Sequence, residues 1–364
     1  MTRGHRDVRP HIPENAPGVG LIGAGAIARS AHLPAYAAWQ IPVVAVASRT
    51  PASAHRLARD FDIPAVYESV AELLGDPRVA VVDIATAPEG RLDLIEAAIA
   101  AGKHVLVQKP LLADAAELPR LESLLETARE RGLRVAVNQN ARWAPAWRLA
   151  TLLVREGAIG EVVGVTHLLD KPLPPLVGTP FDAIPHMLIA DYLVHWIDIS
   201  RCWLEGSAVT SVTASDGRVP QQPVEARNPW QADVAFRTAD GASAAIRIVG
   251  DARTRTGGCP FWIHGTTGTI RGSVLLGSDA LEWERDGETT RFALDGEWFP
   301  DGFAGAMGEL LTAIADEREP ENSAEHVLAT VRLGLAAVAS AASGGVPVRP
   351  TGLDLVASSR RESA

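Results

Sequence analysis

The sequence predicts an α/β protein: an N-terminal doubly wound parallel sheet, followed by an α+β domain with a large, mostly antiparallel open sheet. Three observations predict it. A glycine-rich strand-to-helix turn stands near the start, short apolar runs alternate with capped helical patterns as far as Val137, and β-rich segments broken by Asp-Gly turns fill residues 209–294. Short apolar runs suit a parallel sheet covered on both faces, and the last pattern suits an antiparallel meander.

The first strand, Val19–Ile22, breaks into the GxGxxA of Gly23, Gly25 and Ala28. Gly23 allows the tight turn, Gly25 lets backbone approach a phosphate, and Ala28 is small enough for the helix to pack on its strand. Such a turn, continued through Ala26 and Ile27, can hold a dinucleotide pyrophosphate against the helix amides. A glycine-rich turn that binds nothing is the bland alternative. Further strands are expected over residues 43–47, 79–85, 104–107 and 134–137. Ser69 with Glu72, and Asp114 with Glu117, have capping-box spacing, while Gly75, Gly102 and Gly132 stand where helices end on glycine. Residues 18–138 therefore read as a Rossmann-type domain, preceded by a disordered or extended tail over 1–17.

Past Asn138 the rhythm changes. A helix runs from Pro145 towards Gly157, a strand covers 161–167, a Pro-rich stretch occupies 172–185, and a second helix covers 191–204. Strands at 230–238, 242–249, 261–264, 269–274 and 280–284 follow, with turns at Ala239-Asp240-Gly241 and Arg285-Asp286-Gly287. Helices Phe303–Ala315 and Ala324–Ala342 close a domain spanning 139–350, and 351–364 read as a tail.

Composition narrows the function. A net charge of −10 disfavours nucleic acid and anionic membrane as partners. No apolar stretch long enough to cross a membrane is free of charge or helix breakers, the first residues lack the apolar core of a signal peptide, and a cytoplasmic protein is expected. Cys202 and Cys259 form neither a CxxC nor a zinc spacing, so no metal is expected.

Three clusters could carry chemistry. Ser48, Arg49 and Thr50 end the second strand where a carboxylate would grip the ribose of NAD; their donors and the Arg49 cation point instead to NADP. A solvated Arg49 is the alternative. Lys109, in Gln108-Lys109-Pro110, follows the 104–107 strand at its ligand-binding edge, where an ammonium can hydrogen-bond a substrate oxygen or simply be a surface cation. Asp191, His195 and Asp198 are spaced for one helix face, so Asp191 can orient a His195 general base. A core histidine, or a metal ligand, fits the same spacing.

These pieces in this order resemble the glucose-fructose oxidoreductase and inositol dehydrogenase family, Gfo/Idh/MocA. The resemblance runs from Gly20 to about Pro350: Gly23 to Ala28, Ala100 to Pro110, Asn140-Ala141-Arg142-Trp143, Ile159-Gly160-Glu161-Val162, the Asp191, His195, Asp198 helix, and Trp203-Leu204-Glu205-Gly206. It implies hydride transfer between NAD(P) and a sugar or cyclitol carbon, with Lys109, Asp191 and His195 matching the family's catalytic residues. It further implies that Thr86, Ala87, Pro88, Gln108 and Lys109 join Gly23, Gly25, Ala26, Ile27, Ser48, Arg49 and Thr50 at the cofactor. Asn138, Arg142, Trp143 and His186 would line the substrate pocket with the catalytic three. Two residues depart from the family pattern: Gln108 replaces the usual Glu, removing an anion beside Lys109, and Arg91 stands where a His is frequent.

The reading is an NAD(P)-dependent oxidoreductase, NADP preferred, acting on a secondary alcohol or ketone of a sugar-like small molecule. His195 moves the hydroxyl proton, Lys109 polarises the same oxygen, and Asp191 orients His195 or binds a neighbouring hydroxyl. A non-catalytic NADP and sugar sensor, or a redox-neutral enzyme with tightly bound cofactor, would use the same fold. A homo-oligomer, dimer or tetramer, is expected because residues 209–294 carry more apolar strand than the following helices could cover.

Overall fold

The computed structural model describes residues 2–4, 6–171, 173, 176–220, 222–250, 259–275, 279–351 and 354–355. The chain divides into two compact units, one built from 7–148 with 295–329 and the other from 1–6, 149–294 and 330–364.

The first unit holds β1 (Val19–Ile22), β2 (Val43–Ala47), β3 (Ala65–Tyr67), β4 (Val81–Ile84), β5 (His104–Gln108) and β6 (Val135–Asn138). All are parallel, in the order β3-β2-β1-β4-β5-β6 of a dinucleotide-binding sheet, with the switch point between β1 and β4. The apolar runs exist because helices cover both faces, leaving every residue of β1, β4 and β6 buried. Ser69 caps its helix by accepting the Glu72 N–H at 3.2 Å, and Asp114 accepts the Ala116 N–H at 2.9 Å. Gly102 and Gly132 take the left-handed conformation that ends a helix, with φ of 73° and 68°. Gly75 is instead the last residue of the helix Val70–Gly75, which passes through an extended Asp76.

Two expectations about the unit's limits meet a different chain. Residues 295–329 return to this unit instead of remaining in a continuous 139–350 domain. The reason is packing: Phe303, Ala304, Met307, Leu310 and Leu311 lie in one buried cluster with Val19, Leu21, Leu33 and Tyr36. The stretch expected as a disordered or extended tail is in part packed against the fold, with Thr2–Gly4 a strand. Val8 and Pro10 are buried, and the chain crosses the helix Phe303–Ala315 so closely that a Cβ on Gly308 would lie 2.3 Å from the His11 carbonyl oxygen. Of the C-terminal tail, only 351 and 354–355 fall among the described residues.

The second unit is an eleven-stranded sheet. Its main strands are β7 (Val162–Lys171), β8 (Val209–Gly217), β9 (Gln231–Thr238), β10 (Ser243–Gly250), β11 (Cys259–Gly265), β12 (Thr269–Val274), β13 (Ala280–Arg285) and β14 (Glu288–Phe292). Thr2–Gly4 adds a parallel edge strand beside β14, and β7 is parallel to β10 but antiparallel to β11. Strict alternation in β9 and β10 buries Val234, Phe236, Ile246 and Ile248 on one face. The other face shows Thr213, Ser215, Asp233, Ala235, Ala245 and Arg247. The larger aliphatic side chains of β9 and β10 point inward, and what this outer face shows on those two strands is small, polar and charged.

Among the described residues, one helix, Ala324–Ala342, has the length and apolarity to cross a membrane, and 44% of its window is buried within the fold. The buried side is an alternation of small and aliphatic residues such as Ala324, Val327, Ala336 and Ala337, as in a core helix.

Candidate functional site

Pairing places the strand ends of the parallel sheet in one row. Ile22 lies opposite Ala47 and Ile84, Ile84 opposite Val107, and Gln108 opposite Asn138. The loops that follow therefore gather the expected cofactor residues along one edge. Gly23 has φ of 109°, its N–H donates to the Ala47 carbonyl at 2.9 Å, and a Cβ there would meet the Ala85 carbonyl oxygen at 2.8 Å. Only glycine fits. At exposed Gly25 a Cβ would meet nothing within 4 Å, so the backbone there faces open space. Ala26 and Ile27 start the helix, and buried Ala28 begins the wide π turn Ala28–His32 that leads into Leu33–Ala38. An open, side-chain-free turn at a helix start is the cradle a pyrophosphate needs, so the residues present fit a dinucleotide.

Ser48, Arg49 and Thr50 follow β2 at the same edge. Arg49 and Thr50 are exposed, Thr50 donates its N–H to Ser48 Oγ at 3.4 Å, and the trio contains no carboxylate. Thr86, Ala87 and Pro88 follow β4, with Thr86 Oγ1 donating to the Ala87 carbonyl at 3.1 Å. Arg91, only 1% exposed, ties this loop to the next: its guanidinium donates to the carbonyls of Thr86 and Pro110. It holds two adjacent strand-end loops together, and Lys109 sits in the second.

Beneath this edge lies a buried polar network that sequence reasoning missed. Asp83 Oδ2, fully buried on β4, accepts from His32 Nδ1 and from the Tyr36 hydroxyl, each at 2.7 Å. Burial, with the Asp83 charge beside it, pushes the Tyr36 phenol well above its usual range and keeps it a donor. Gln108 Nε2 lies 3.1 Å and Asn138 Nδ2 3.3 Å from His32 Nε2. Gln108 Oε1 accepts the Lys109 N–H at 2.7 Å. Residue 108 thus addresses the backbone of Lys109 and the core, whereas it is expected at the cofactor, its lack of charge removing an anion beside Lys109. Asn138, expected at the substrate, is 0% exposed and turned to His32.

Arg142 and Trp143 also differ from expectation. Both are buried: Arg142 donates to the Glu321 carbonyl at 2.5 Å and lies 3.0 Å from His326 Nδ1, while Trp143 packs so tightly that a Cβ on Gly305 would come 2.3 Å from its ring. Their local reason is the short 3₁₀ turn Asn140–Trp143, which points them into the 303–329 segment that rejoins this unit.

In the second unit, Asp191 lies in a π turn, Leu188–Tyr192, closed by the Leu193 N–H donating to the Leu188 carbonyl at 2.8 Å. His195 lies in the first turn of the regular helix Val194–Trp203 and is 9% exposed; Asp191 is half-buried. The expected single helix is thus a wide turn joined to an α-helix, a form frequent at functional sites. Asp198 has a structural task, accepting from Thr330 Oγ1 at 2.6 Å, which itself accepts from Arg201 Nε at 3.0 Å. His186 donates from Nδ1 to Asp216 Oδ2 at 2.8 Å. Among the described residues no three His, Cys, Asp or Glu side chains come together as a metal site.

Residues 18–139 match an oxidoreductase family with an NAD-binding Rossmann fold, and 147–271 match the Gfo/Idh/MocA C-terminal domain. A 1,5-anhydro-D-fructose reductase of Ensifer adhaerens is 30% identical over 345 residues, covering 92% of this chain and 99% of that protein. The chain belongs to the Gfo/Idh/MocA family. A levoglucosan dehydrogenase of Pseudarthrobacter phenanthrenivorans is 30% identical across 69% of this chain and 72% of its own. The crystal structure of an oxidoreductase from Agrobacterium radiobacter, in complex with NAD+, L-tartaric acid and magnesium, shares the fold: TM-score 0.79, 23% identity, covering 93% and 99% of the two chains. This family member is an NAD(P)-dependent oxidoreductase. It is also poor in lysine. Lys103, Lys109 and Lys171 are its only lysines among 34 basic residues. Lys103 is fixed, donating to the Val79 carbonyl at 2.6 Å, so a lysine retained at the ligand edge was a compositional signal available in the sequence.

Proposed function

We propose that the protein interconverts a secondary alcohol and its ketone on a sugar, sugar derivative or cyclitol, with NADP preferred over NAD. The observation that carries the reading is the row of strand ends that sets Gly23, Thr86 and Lys109 in the loops just beyond the adjacent strands β1, β4 and β5. The relatives support the substrate class, one being named a 1,5-anhydro-D-fructose reductase and another a levoglucosan dehydrogenase. When bound, the nicotinamide accepts or supplies the hydride at the reacting carbon. The Lys109 ammonium hydrogen-bonds the substrate oxygen and stabilises negative charge as it develops there. His195 takes the hydroxyl proton in oxidation and returns it in reduction, with Asp191 favouring the cationic imidazole. The 86–88 and 23–27 loops bind the dinucleotide, and Arg91 holds the Lys109 loop against the first of them.

Incubating the protein with oxidised or reduced NADP and NAD, and a panel of sugars, anhydro-sugars and cyclitols, while following reduced nicotinamide absorbance, tests the reading. Turnover of at least one member is expected. Tight NADP binding with no turnover of any would instead describe a sensor.

Cofactor choice has its own test. A charge-assisted contact to the 2′-phosphate is worth about 1.5–3 kcal/mol, so Arg49→Ala is expected to weaken NADP roughly 10- to 100-fold and leave NAD nearly unchanged. Equal affinity of the unaltered protein for both cofactors would remove the claim.

The same reading makes the outer face of the large sheet the interface of a dimer or tetramer. Asp233 and Arg247 are cross-strand partners of opposite charge on that face, with Ala235, Ala245 and Leu168 beside them, a pattern that can complement itself across a two-fold axis. Sedimentation at micromolar concentration is expected to give an oligomer, broken by Arg247→Glu; a monomer would end the proposal.

A further inference from the structure

We propose that His32 is a positioning residue for Lys109, acting through Gln108. This rests on the reading of Lys109 as the group that touches the substrate oxygen. The hydrogen-bond directions follow from one another. Lys109 donates its N–H to Gln108 Oε1 at 2.7 Å, which fixes the carboxamide with its NH2 group towards His32 Nε2, 3.1 Å away. Asn138 Nδ2 approaches the same nitrogen at 3.3 Å, so Nε2 carries no proton and accepts. The ring proton is on Nδ1, donated to Asp83 Oδ2 at 2.7 Å. Phe303 closes the remaining side, its ring 5.0 Å from the imidazole in an edge-on contact. The chain of donors therefore runs in one sense, from the Lys109 backbone through Gln108 and His32 to Asp83.

A core gains little stability from such a set. Buried charges and polar groups cost desolvation, and an apolar replacement of equal shape is often as stable. What this set supplies is direction: neutral His32, anchored on β4, prevents the Gln108 carboxamide on β5 from rotating, and so sets where the Lys109 backbone leaves the strand. The set also explains an amide at 108. A carboxylate there would keep the acceptor for Lys109 N–H but face the bare Nε2 of His32 with a second acceptor.

The three lysines make the test direct, because selective ¹⁵N-lysine labelling gives amide signals only from Lys103, Lys109 and Lys171. Asn in place of His32 reproduces the Nδ1 donor to Asp83 but deletes Nε2; Gln reproduces the Nε2 acceptor. His32→Asn is expected to speed hydrogen exchange at Lys109 about 10-fold while Lys103, bonded to the Ala98 carbonyl, keeps its rate. His32→Gln is expected to restore Lys109 protection. On whichever polyol the panel identifies, His32→Asn should lower kcat roughly 10- to 100-fold with NADP Kd unchanged, and should add nothing to Gln108→Met. Unchanged exchange at Lys109, or an equal rise at Lys103 and Lys109, would overturn the proposal. Changed exchange at Lys109 alone, with no polyol turned over, supports the positioning and removes the reading of Lys109 instead. The unaltered protein covers the case in which His32→Asn does not fold. With ¹⁵N-histidine, its His32 ring is expected to carry a proton on Nδ1 with Nε2 bare, and a proton on Nε2 would refute the directions assigned.

Discussion

Lys109→Ala, His195→Ala and the double variant are expected to share one very low kcat, about 10²- to 10⁴-fold below the unaltered enzyme. The two groups are assigned to one oxygen, the first to stabilise charge and the second to move the proton. Once either is gone the remaining one has little left to assist, so the losses do not add. NADP binding should persist in all three, because neither Lys109 nor His195 belongs to the Gly23 to Ala28 turn or the Ser48 to Thr50 trio proposed to hold the phosphates. Measuring kcat and NADP affinity separately checks both halves of the argument. A His195→Ala enzyme that keeps more than about a tenth of the turnover would sink the assignment of the base. Additive losses would instead place Lys109 and His195 on different steps.

The parallel sheet was legible because its information is local. Each strand is a short apolar run, Ser69 and Asp114 cap the helical segments they precede, and Gly23 announces a backbone that only glycine adopts. β3 escaped notice since Ala65, Val66 and Tyr67 are three residues behind a proline, too few to show a period. What could not be read was long-range. His32 meets Asp83, Gln108 and Asn138 at separations of 51, 76 and 106 residues, so no window of sequence reveals their shared core. The fate of Arg142 and Trp143 was hidden for the same reason: their partners, Glu321, His326 and Gly305, belong to a segment that rejoins the unit after the whole antiparallel sheet. Arg91 is the instructive case. Its position was marked as unusual, but its task of bridging the Thr86 and Pro110 carbonyls depends on two loops being neighbours.

Acid should weaken the second unit through His167. This residue alternates into the buried face of β7, 1% exposed, with its ring stacked on Trp203 at 5.6 Å and tilted on Phe261 at 6.0 Å. Burial lowers its pKa from 6.5 to about 3, since the cation would lose its water among aromatic rings. The folded value lies below the unfolded one, so the contribution to stability is complete above the unfolded pKa and declines as pH falls through it, where only the unfolded chain takes the proton. Between about pH 7 and pH 5 the loss is expected to be about 2 kcal/mol. His167→Leu removes the titrating group while keeping an apolar side chain in the stack. Its pH-independent packing cost is separable, because only the slope matters: the difference in unfolding free energy between the two proteins should shift in favour of the variant by about 2 kcal/mol across that window. Other groups titrate alike in both and cancel. Parallel stability curves would mean that His167 gains a proton in the folded state as easily as in the unfolded chain, which the aromatic enclosure formed by Trp203 and Phe261 opposes.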